Sequence, residues 1–339
     1  MKVVAVTCVK NEGPFLLEWI AFNRLIGVTD FLFYSNDCTD GTDALLDALE
    51  AEGVVEHRAN PAQGRNYQME ALKDAKRRRP VKAADWVWIA DVDEFLNIHV
   101  PGHTIPELVA ACGDPQAISV TFRFFANDGV ETYQDRPVIA QFDRSHDPDI
   151  WAAEMAIEVK TLVRADFPLQ YFGAHRPFHD PDRHSPYWTD GSGRPVPERF
   201  LRRATRRRIR AFPASGARQL ASLNHYALRS LESYLVKNDR GDVNRENRAF
   251  DTSYWRDRND PAVSDRSIQR HLPALDAEIA RLKGLGRVGA LHEAAVAAHR
   301  QRIRELLARE DYRAMADALR AAPRVPVAEA ELCALLGPS

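Results

Sequence analysis

The chain of 339 residues carries 46 Lys and Arg against 48 Asp and Glu, which gives a formal net charge of −2, and 45% of its residues are hydrophobic. This balance excludes a chain that is basic throughout, so we expect no nucleic-acid partner. The composition also excludes a largely disordered or fibrous protein. Typical domain sizes predict two domains, or one large α/β domain with an appendage.

The cysteines and the N-terminus indicate the cellular compartment. The four cysteines are scattered and form no C-x-x-C pair, at Cys8, Cys38, Cys112 and Cys333. Such usage disfavours a zinc knuckle or a disulfide framework and is typical of a reducing compartment. Polar residues at 10–12 interrupt the N-terminal apolar run, unlike a signal peptide, and no stretch approaches the roughly 20 apolar residues of a membrane-spanning helix. We therefore expect a cytoplasmic protein.

The first hundred residues alternate between short apolar runs and amphipathic segments. Strands are predicted over 2–9, 30–35, 54–59 and 85–91, with helices between them. This alternation predicts parallel strands joined by right-handed crossovers. Because ligands of such sheets bind beyond the carboxyl ends of the strands, we expect the chemistry just after residues 9, 35, 58 and 90.

The remainder of the chain is less regular and then becomes helical. Strands are predicted over 117–125 and 156–164, among polar loops of the kind that shape substrate clefts. Helices are predicted over 227–239, 272–284, 290–310 and 312–322.

The strongest local signal is the segment WVWIADVDEFL at 86–96, in which an apolar strand precedes Asp91, Asp93 and Glu94. Carboxylates gathered at a strand end are costly unless a cation neutralises them. Oxygen ligands suit Mg²⁺ or Mn²⁺ held jointly with the phosphates of a substrate. The alternative is an acidic turn in which Asp93 caps a helix, and the strand in front favours the metal site.

Two further polar loops follow predicted strands. The segments TCVKNEG (7–13) and SNDCTDGT (35–42) end a strand and open a helix, so both belong at the same edge of the sheet. Their Asn, Asp and Glu side chains suit a base and a ribose, whereas Asp40 and Thr42 are better explained as a turn and a helix cap. Neither loop matches a dinucleotide fingerprint or a P-loop, which disfavours a dehydrogenase or an NTPase.

In combination these segments resemble the glycosyltransferases of families 2 and 92. The stretches that carry the resemblance stand in family order, at 6–42, at ADWVWIADVDEFL (84–96) and at LNHYALRSLESYLVKNDRG (223–241). The resemblance implies a GT-A-type fold, a Rossmann-like α/β sheet that is mostly parallel and flanked by helices. It also implies a nucleotide-diphosphate sugar as donor substrate and Mn²⁺ or Mg²⁺ as cofactor.

The resemblance also divides the chain. It implies a glycosyltransferase domain over 1–240, with a nucleotide-binding half at 1–100 and an acceptor half at 101–240. A helical extension at 241–339 follows.

Carried onto this sequence, the resemblance gives the motif residues their roles. Asp91 and Asp93 match the D-x-D motif that holds metal and diphosphate, and Glu94 matches the carboxylate beside it. His225 matches a histidine that joins the metal shell or meets the diphosphate, although a single histidine is more often structural. The residues that match the nucleoside-binding strand ends are Lys10, Asn11, Glu12, Asn36 and Asp37.

The chemistry of transfer requires two further groups. A leaving diphosphate needs cations, and an acceptor hydroxyl needs a general base. For an inverting transfer we predict Asp128 as the base, with Glu154 and Glu158 as alternatives. His175 is predicted on the acceptor side, where it would otherwise make a structural hydrogen bond.

Basic residues are concentrated in RFLRRATRRRIR at 199–210. This run fits a solvated helix face slightly better than its functional interpretations, which are an acidic glycan, the donor diphosphate or an anionic membrane surface at the inner face of the membrane. Lys237 and Arg240 either neutralise phosphate or are exposed helical charges.

The predicted function is a metal-dependent glycosyltransferase of hexosyltransferase type, inverting, that acts on a glycan or lipid acceptor in glycan, polysaccharide or glycolipid synthesis. Two alternatives stay open. A nucleotidyltransferase shares strand-end carboxylates but usually carries a Gly-rich basic loop after its first strand. A non-catalytic glycan-binding protein could have the same fold, because fold alone does not fix function.

Overall fold

The computed structural model describes residues 1–64, 66–148, 158–201, 216–241 and 251–323. Within these ranges the chain forms a nine-stranded sheet, two small two-stranded sheets and flanking helices. The strands are β1 (Val3–Val9), β2 (Asp30–Ser35), β3 (Glu56–Ala59), β4 (Trp86–Ile89), β5 (Glu94–Ile98), β6 (Ala117–Phe124), β7 (Arg144–Ser145), β8 (Val159–Arg164), β9 (Tyr171–Phe172), β10 (Pro177–Phe178), β11 (Trp188–Asp190), β12 (Ala221–His225) and β13 (Val263–Ser264). The helices are α1 (Leu16–Leu25), α2 (Thr42–Ala51), α3 (Tyr67–Ala75), α4 (Arg79–Lys82), α5 (Ile105–Ala111), α6 (Val138–Gln141), α7 (Glu198–Leu201), α8 (Leu231–Arg240), α9 (Thr252–Arg256), α10 (Leu272–Lys283), α11 (Val288–Ala308) and α12 (Glu310–Ala321).

The large sheet has the strand order β3-β2-β1-β4-β8-β6-β12-β5, with β11 beside the first half of β6. Neighbours among β1 to β4 are parallel, whereas β8 is antiparallel to both β4 and β6. β12 runs parallel to β6 and antiparallel to β5. One edge, which we call the carboxyl edge, therefore collects the carboxyl ends of β1–β4, β6 and β12 and the amino ends of β8 and β5. The predicted α/β class, a mostly parallel sheet flanked by helices, is confirmed.

Both faces of the sheet are covered, which explains why its strands are so apolar. All seven residues of β1 are buried, as expected of a parallel strand between two layers. Val3, Ala5 and Val9 belong to one hydrophobic cluster, and Val4 and Val6 belong to the other. Because successive side chains of a strand point to opposite faces, one cluster lies on each side of the sheet.

The C-terminal helices pack on one of these faces. α10 contacts α1, and α11 contacts α2, α8 and the 3₁₀ turn at Gly13–Phe15. Leu275, Val296 and Leu306 belong to the same hydrophobic cluster as Val3 of β1. The segment predicted as an extension thus shares a core with the sheet, while the boundary at residue 240 stays a prediction. None of the helices in the described ranges combines the length and apolarity needed to cross a bilayer.

Several elements differ from the sequence-based prediction. The sequence does not predict β5, β11 and β12. Residues 227–230, expected to open a helix, precede α8, because Arg229 has a φ of 55° and the Ser230 side chain caps the helix by accepting from the Ser233 N–H. His225 consequently ends a strand and does not lie at the N-terminus of a helix.

Candidate active site

The candidate site residues lie along the carboxyl edge of the sheet. Glu12 follows β1, Asp37 follows β2, and Asp91 and Asp93 lie between β4 and β5. His225 is the last residue of β12. The strand order therefore brings residues from distant parts of the chain to one edge.

A tight turn between β4 and β5 sets the directions of three acidic side chains. The Asp91 N–H donates to Glu94 Oε2 at 2.9 Å, and the Glu94 N–H donates to the Asp91 carbonyl at 3.0 Å. The Asp91 side chain is 40% exposed, whereas those of Asp93 and Glu94 are 10% and 1% exposed. The turn thus presents Asp91 to solvent and buries the other two carboxyl groups.

Asp93, Glu94 and His225 form a buried cluster. Ligand atoms of these side chains, one from each, all lie within 4.8 Å of one another. His225 faces Glu94 in the β12–β5 register, and its Nε2 lies 3.5 Å from Asp93 Oδ1. Its Nδ1 has no hydrogen-bond partner in the described part of the chain. Burial lowers the pKa of His225, although Asp93 opposes this change, so the ring is held in the neutral form that binds metal ions.

Two lysines, the buried Lys160 and the partly buried Lys237, neutralise these carboxylates. Lys160 Nζ lies 3.0 Å from Asp91 Oδ2 and 3.3 Å from Glu94 Oε2, and Lys237 Nζ lies 2.8 Å from Asp93 Oδ2. Burial alone would raise the pKa of Asp93, but Lys237 holds that pKa well below its usual value. Burial raises the pKa of Glu94 well above its usual value, and Lys160 opposes this rise only in part. Asp93 is therefore the carboxylate of this cluster that stays ionised most readily.

Glu12 is held between two arginines. Its Oε2 accepts from Arg229 Nη1 at 2.8 Å, and its Oε1 lies 2.5 Å from Arg240 Nη1. Arg240 also donates to the carbonyls of Lys10 and Asn11, at 2.6 and 3.1 Å. Burial alone would raise the pKa of Glu12, but the two guanidinium groups hold it below its usual value. This ion triad joins the end of α8 to the end of β1.

The two loops predicted to bind the nucleoside contain left-handed residues. Asn11 and Asp37 have φ values of 52° and 49°, a conformation that Asn and Asp tolerate better than most residues. Asn11 Oδ1 accepts from the Thr39 N–H at 2.7 Å, which joins the two loops. Asn36 is buried, and its Oδ1 has no partner in the described structure. The Tyr67 hydroxyl lies 3.4 Å from Asp37 Oδ2 and donates to it.

Asp128, the predicted base, is exposed in the loop after β6 and has a φ of 49°. The buried Asn127 fixes this loop by donating from Nδ2 to the carbonyls of Val130 and Arg229, at 2.6 and 2.8 Å. Since the Arg229 side chain bonds to Glu12, the Asp128 loop lies next to the ion triad.

His175 lies beside the amino end of β8. Its Nδ1 donates to the Val159 carbonyl at 3.1 Å, and its own carbonyl accepts from Thr161 Oγ1 at 2.9 Å. These bonds match the structural alternative for this residue, and its acceptor-side role stays a prediction.

The other candidate bases and the basic run are placed only in part. Glu158 immediately precedes β8, and its carbonyl accepts from the Phe122 N–H at 2.9 Å. Glu154 lies outside the described residues, as do residues 202–210 of the basic run.

The predicted metal ligands and the observed cluster differ in one member. The sequence groups Asp91 with Asp93 and His225, whereas the ligand atoms that converge in the described structure include Glu94 in place of Asp91. The Asp91 carboxylate instead accepts a hydrogen bond from Lys160 Nζ at 3.0 Å. The ligand set stays a prediction, with Asp91 as a candidate for donor binding.

Lys160 is a site residue that the sequence patterns do not single out. Its side chain is 1% exposed. A signal exists, because a lysine inside the strand VKTLVR needs a carboxylate partner once the strand is buried. The side chains of Lys237 and Arg240 are 12% and 8% exposed, so their interpretation as exposed helical charges is wrong.

Comparison with known proteins identifies the family. The sequence model of glycosyltransferase family 92 matches residues 4–190, which is more than half of the chain. The chain belongs to glycosyltransferase family 92. The family 92 match spans β1 to β11 and so includes Glu12, the D-x-D segment and Lys160, whereas His225 and α8 lie beyond it.

Individual relatives match over shorter stretches. A family 92 protein of Oryza sativa subsp. japonica is 30% identical over 97 residues, which is 29% of this chain and 16% of the relative. A family 92 protein of Ricinus communis is 30% identical over 96 residues, which is 27% of this chain and 16% of the relative. The chain thus spans about a sixth of the length of the curated relatives it matches.

Solved structures show a distant similarity. The crystal structure of S. aureus TarS 1–349 covers 98% of this chain and 91% of its own length, at 11% identity and a TM-score of 0.35. The complex of TarS 1–349 with UDP-GlcNAc covers 49% of this chain and 46% of its own, at 12% identity and a TM-score of 0.30. The fold class of this family 92 protein follows from its own strand order.

Proposed function

We propose that this chain is a metal-dependent, inverting glycosyltransferase of hexosyltransferase type. It transfers a sugar from a nucleotide-diphosphate sugar to an acceptor hydroxyl in glycan, polysaccharide or glycolipid synthesis, in the cytoplasm. The observation that carries this proposal is the buried cluster of Asp93, Glu94 and His225 at the carboxyl edge of a family 92 chain.

The donor atoms of the cluster fit a divalent metal. Two carboxyl groups and an imidazole suit Mn²⁺ better than Mg²⁺, which prefers oxygen ligands alone. Asp93 is ionised and His225 is neutral, the forms in which both bind metals. The buried His225 Nδ1 has no partner in the described chain. When bound, the ion supplies positive charge to the leaving diphosphate.

The surrounding residues have distinct roles. Asp91 faces the donor with a partly exposed carboxylate. Asn36 faces it with Oδ1, which accepts no hydrogen bond from the residues that the structure describes. The exposed Asp128 takes the proton of the acceptor hydroxyl as general base. Asn127 fixes the loop from which Asp128 acts.

Donor binding tests the metal site. We would measure calorimetric binding of a panel of nucleotide sugars, including UDP-GlcNAc, with Mn²⁺ or with a chelator. The wild type is expected to bind one donor in a Mn²⁺-dependent manner, and Asp93→Asn is expected to weaken that binding at least about tenfold. Asp30→Asn is the matched control, because Asp30 starts β2 at the opposite edge and pairs with Lys2 at 3.1 Å. Equal binding with the chelator would contradict the metal requirement.

The assignment of Asp128 has a separate test. Asp128→Asn is expected to lower the rate of donor hydrolysis, in which water replaces the acceptor, by about 100- to 10,000-fold. Donor affinity should not change. Asp114→Asn is the control, because Asp114 is also an exposed aspartate with a φ of 53° and lies before β6. A full hydrolysis rate in Asp128→Asn would rule out this base.

A further inference from the structure

Lys237 forms an ion pair with Asp93, the carboxylate proposed to bind the metal ion. Its Nζ lies 2.8 Å from Asp93 Oδ2, while His225 Nε2 lies 3.5 Å from Oδ1. Both oxygens of this buried carboxylate therefore already face a basic nitrogen. A second cation at Asp93 would lie close enough to the ammonium group to repel it strongly in a buried site.

We propose that Lys237 is a displaceable counter-ion that competes with a divalent cation for Asp93 and thereby sets the metal affinity of the site. The inference rests on the proposed function, since it assumes that Asp93 binds the metal. It gives Lys237 a role as a positioning and tuning residue.

The surroundings of Lys237 allow its ammonium to leave Asp93 without losing every partner. Nζ also donates to the Ala227 carbonyl at 2.8 Å and lies 5.6 Å from the centre of the Tyr254 ring. A carbonyl and an aromatic face both stabilise an ammonium group. The flexible four-carbon stem of lysine permits the short movement. The displaced side chain is thus retained beside the site.

Lys160 has a different position. It bridges two carboxylates, Asp91 and Glu94, and its side chain is 1% exposed. Its displacement would leave both carboxyl groups without this cation. Lys160 therefore stays in place when the metal binds, and Lys237 is the cation that moves.

The test measures Mn²⁺ binding without nucleotide sugar, from the electron paramagnetic resonance signal of free Mn²⁺. Lys237→Met is expected to bind Mn²⁺ at least about tenfold more tightly than the wild type, because close charge pairs couple strongly. Without Mn²⁺ its melting temperature should fall, and Mn²⁺ should raise it more than in the wild type. The control Lys73→Met removes an exposed lysine that pairs with Glu70 at 2.6 Å, and its Mn²⁺ affinity should not change.

A second pair of variants keeps the inference testable if Lys237→Met does not fold. Tyr254→Leu removes the ring that receives the displaced ammonium, and it is expected to weaken Mn²⁺ binding about threefold, whereas Tyr254→Phe keeps the ring and the affinity.

The outcomes separate two questions. If the wild type binds Mn²⁺ and Lys237→Met binds it no more tightly, competition by Lys237 is overturned. If Tyr254→Leu binds Mn²⁺ with unchanged affinity, the displaced Lys237 ammonium does not move to the Tyr254 ring. That result would overturn the proposed displacement. Absence of Mn²⁺ binding in both the wild type and Lys237→Met would instead overturn the metal site of the proposed function.

Discussion

The buried carboxylates of the site differ in the groups that neutralise them. Glu12 has two arginines, whereas Asp93 has a lysine and a histidine. Glu94 shares Lys160 with Asp91. Removing one member of a buried ion pair leaves an uncompensated charge, which costs more than the pair contributes. Single substitutions here should therefore affect stability as well as activity.

Glu12→Gln tests this expectation at one position. The change leaves the buried Arg229 and Arg240 without a carboxylate, so it should lower the free energy of unfolding by about 3–5 kcal/mol. Urea denaturation measures the effect. Glu70→Gln provides the control, because its pair with Lys73 is exposed and contributes about 0–1 kcal/mol. Similar losses in the two variants would show that the Glu12 triad contributes little.

Among the helices, α1 is tied to α6 by a buried carboxyl group. Glu18 of α1 accepts from the N–H groups of Val138 and Ile139, at 2.8 and 3.1 Å. Burial raises the pKa of Glu18 from 4.5 to about 7, although these two hydrogen bonds oppose the rise. Protonation of one side chain is therefore coupled to the contact between two helices.

This coupling predicts a pH dependence of stability. The folded state holds a proton on Glu18 between pH 4.5 and about 7, while the unfolded chain releases it. The stabilisation that this proton provides is fully present below pH 4.5 and is lost as the pH rises through about 7. The total loss in the free energy of unfolding is about 3 kcal/mol. Urea denaturation measures the free energy of unfolding at pH 5 and at pH 8. The difference between the two values should be smaller for Glu18→Gln than for the wild type. Equal differences in both proteins would contradict the shifted pKa.

Across the whole molecule, the C-terminal helices and the sheet share one hydrophobic cluster. Leu306 of α11 and Trp19 of α1 both belong to it and are fully buried. Two parts that share a core are expected to unfold together, in one cooperative transition.

Leu306→Ala tests this cooperativity. The cavity left by the shorter side chain should lower the free energy of unfolding by about 2–5 kcal/mol. The whole unfolding transition should shift by the same amount, whether it is followed by tryptophan fluorescence or by circular dichroism. The neighbouring Leu307 is only partly buried, so Leu307→Ala should cost less. Two separate transitions would show that the C-terminal helices form an independent unit.

The sequence predicts those features that local patterns encode. β1 and β2 are apolar runs at their observed positions, and the acidic turn after β4 lies where the pattern indicates. β5 and β12 are not predicted, because polar residues such as Asn97 and Asn224 interrupt their apolar pattern. The role of Lys160 depends on an antiparallel neighbour that a single sequence does not reveal. Likewise, the ion pairs of Arg240 and Lys237 join residues far apart in the chain.

The positions of these ion pairs in the chain determine when the site is completed during biosynthesis. Glu12, Asp91 and Asp93 are translated before Lys160, and well before the cations at 229–240. Because N-terminal segments leave the ribosome first, Glu12 and Asp93 lack their cationic partners until residues 229–240 emerge. A ribosome-bound chain that stops short of residue 229 lacks both arginines of Glu12 and the lysine of Asp93. Assembly of the candidate site is therefore a late event, timed by the synthesis of α8.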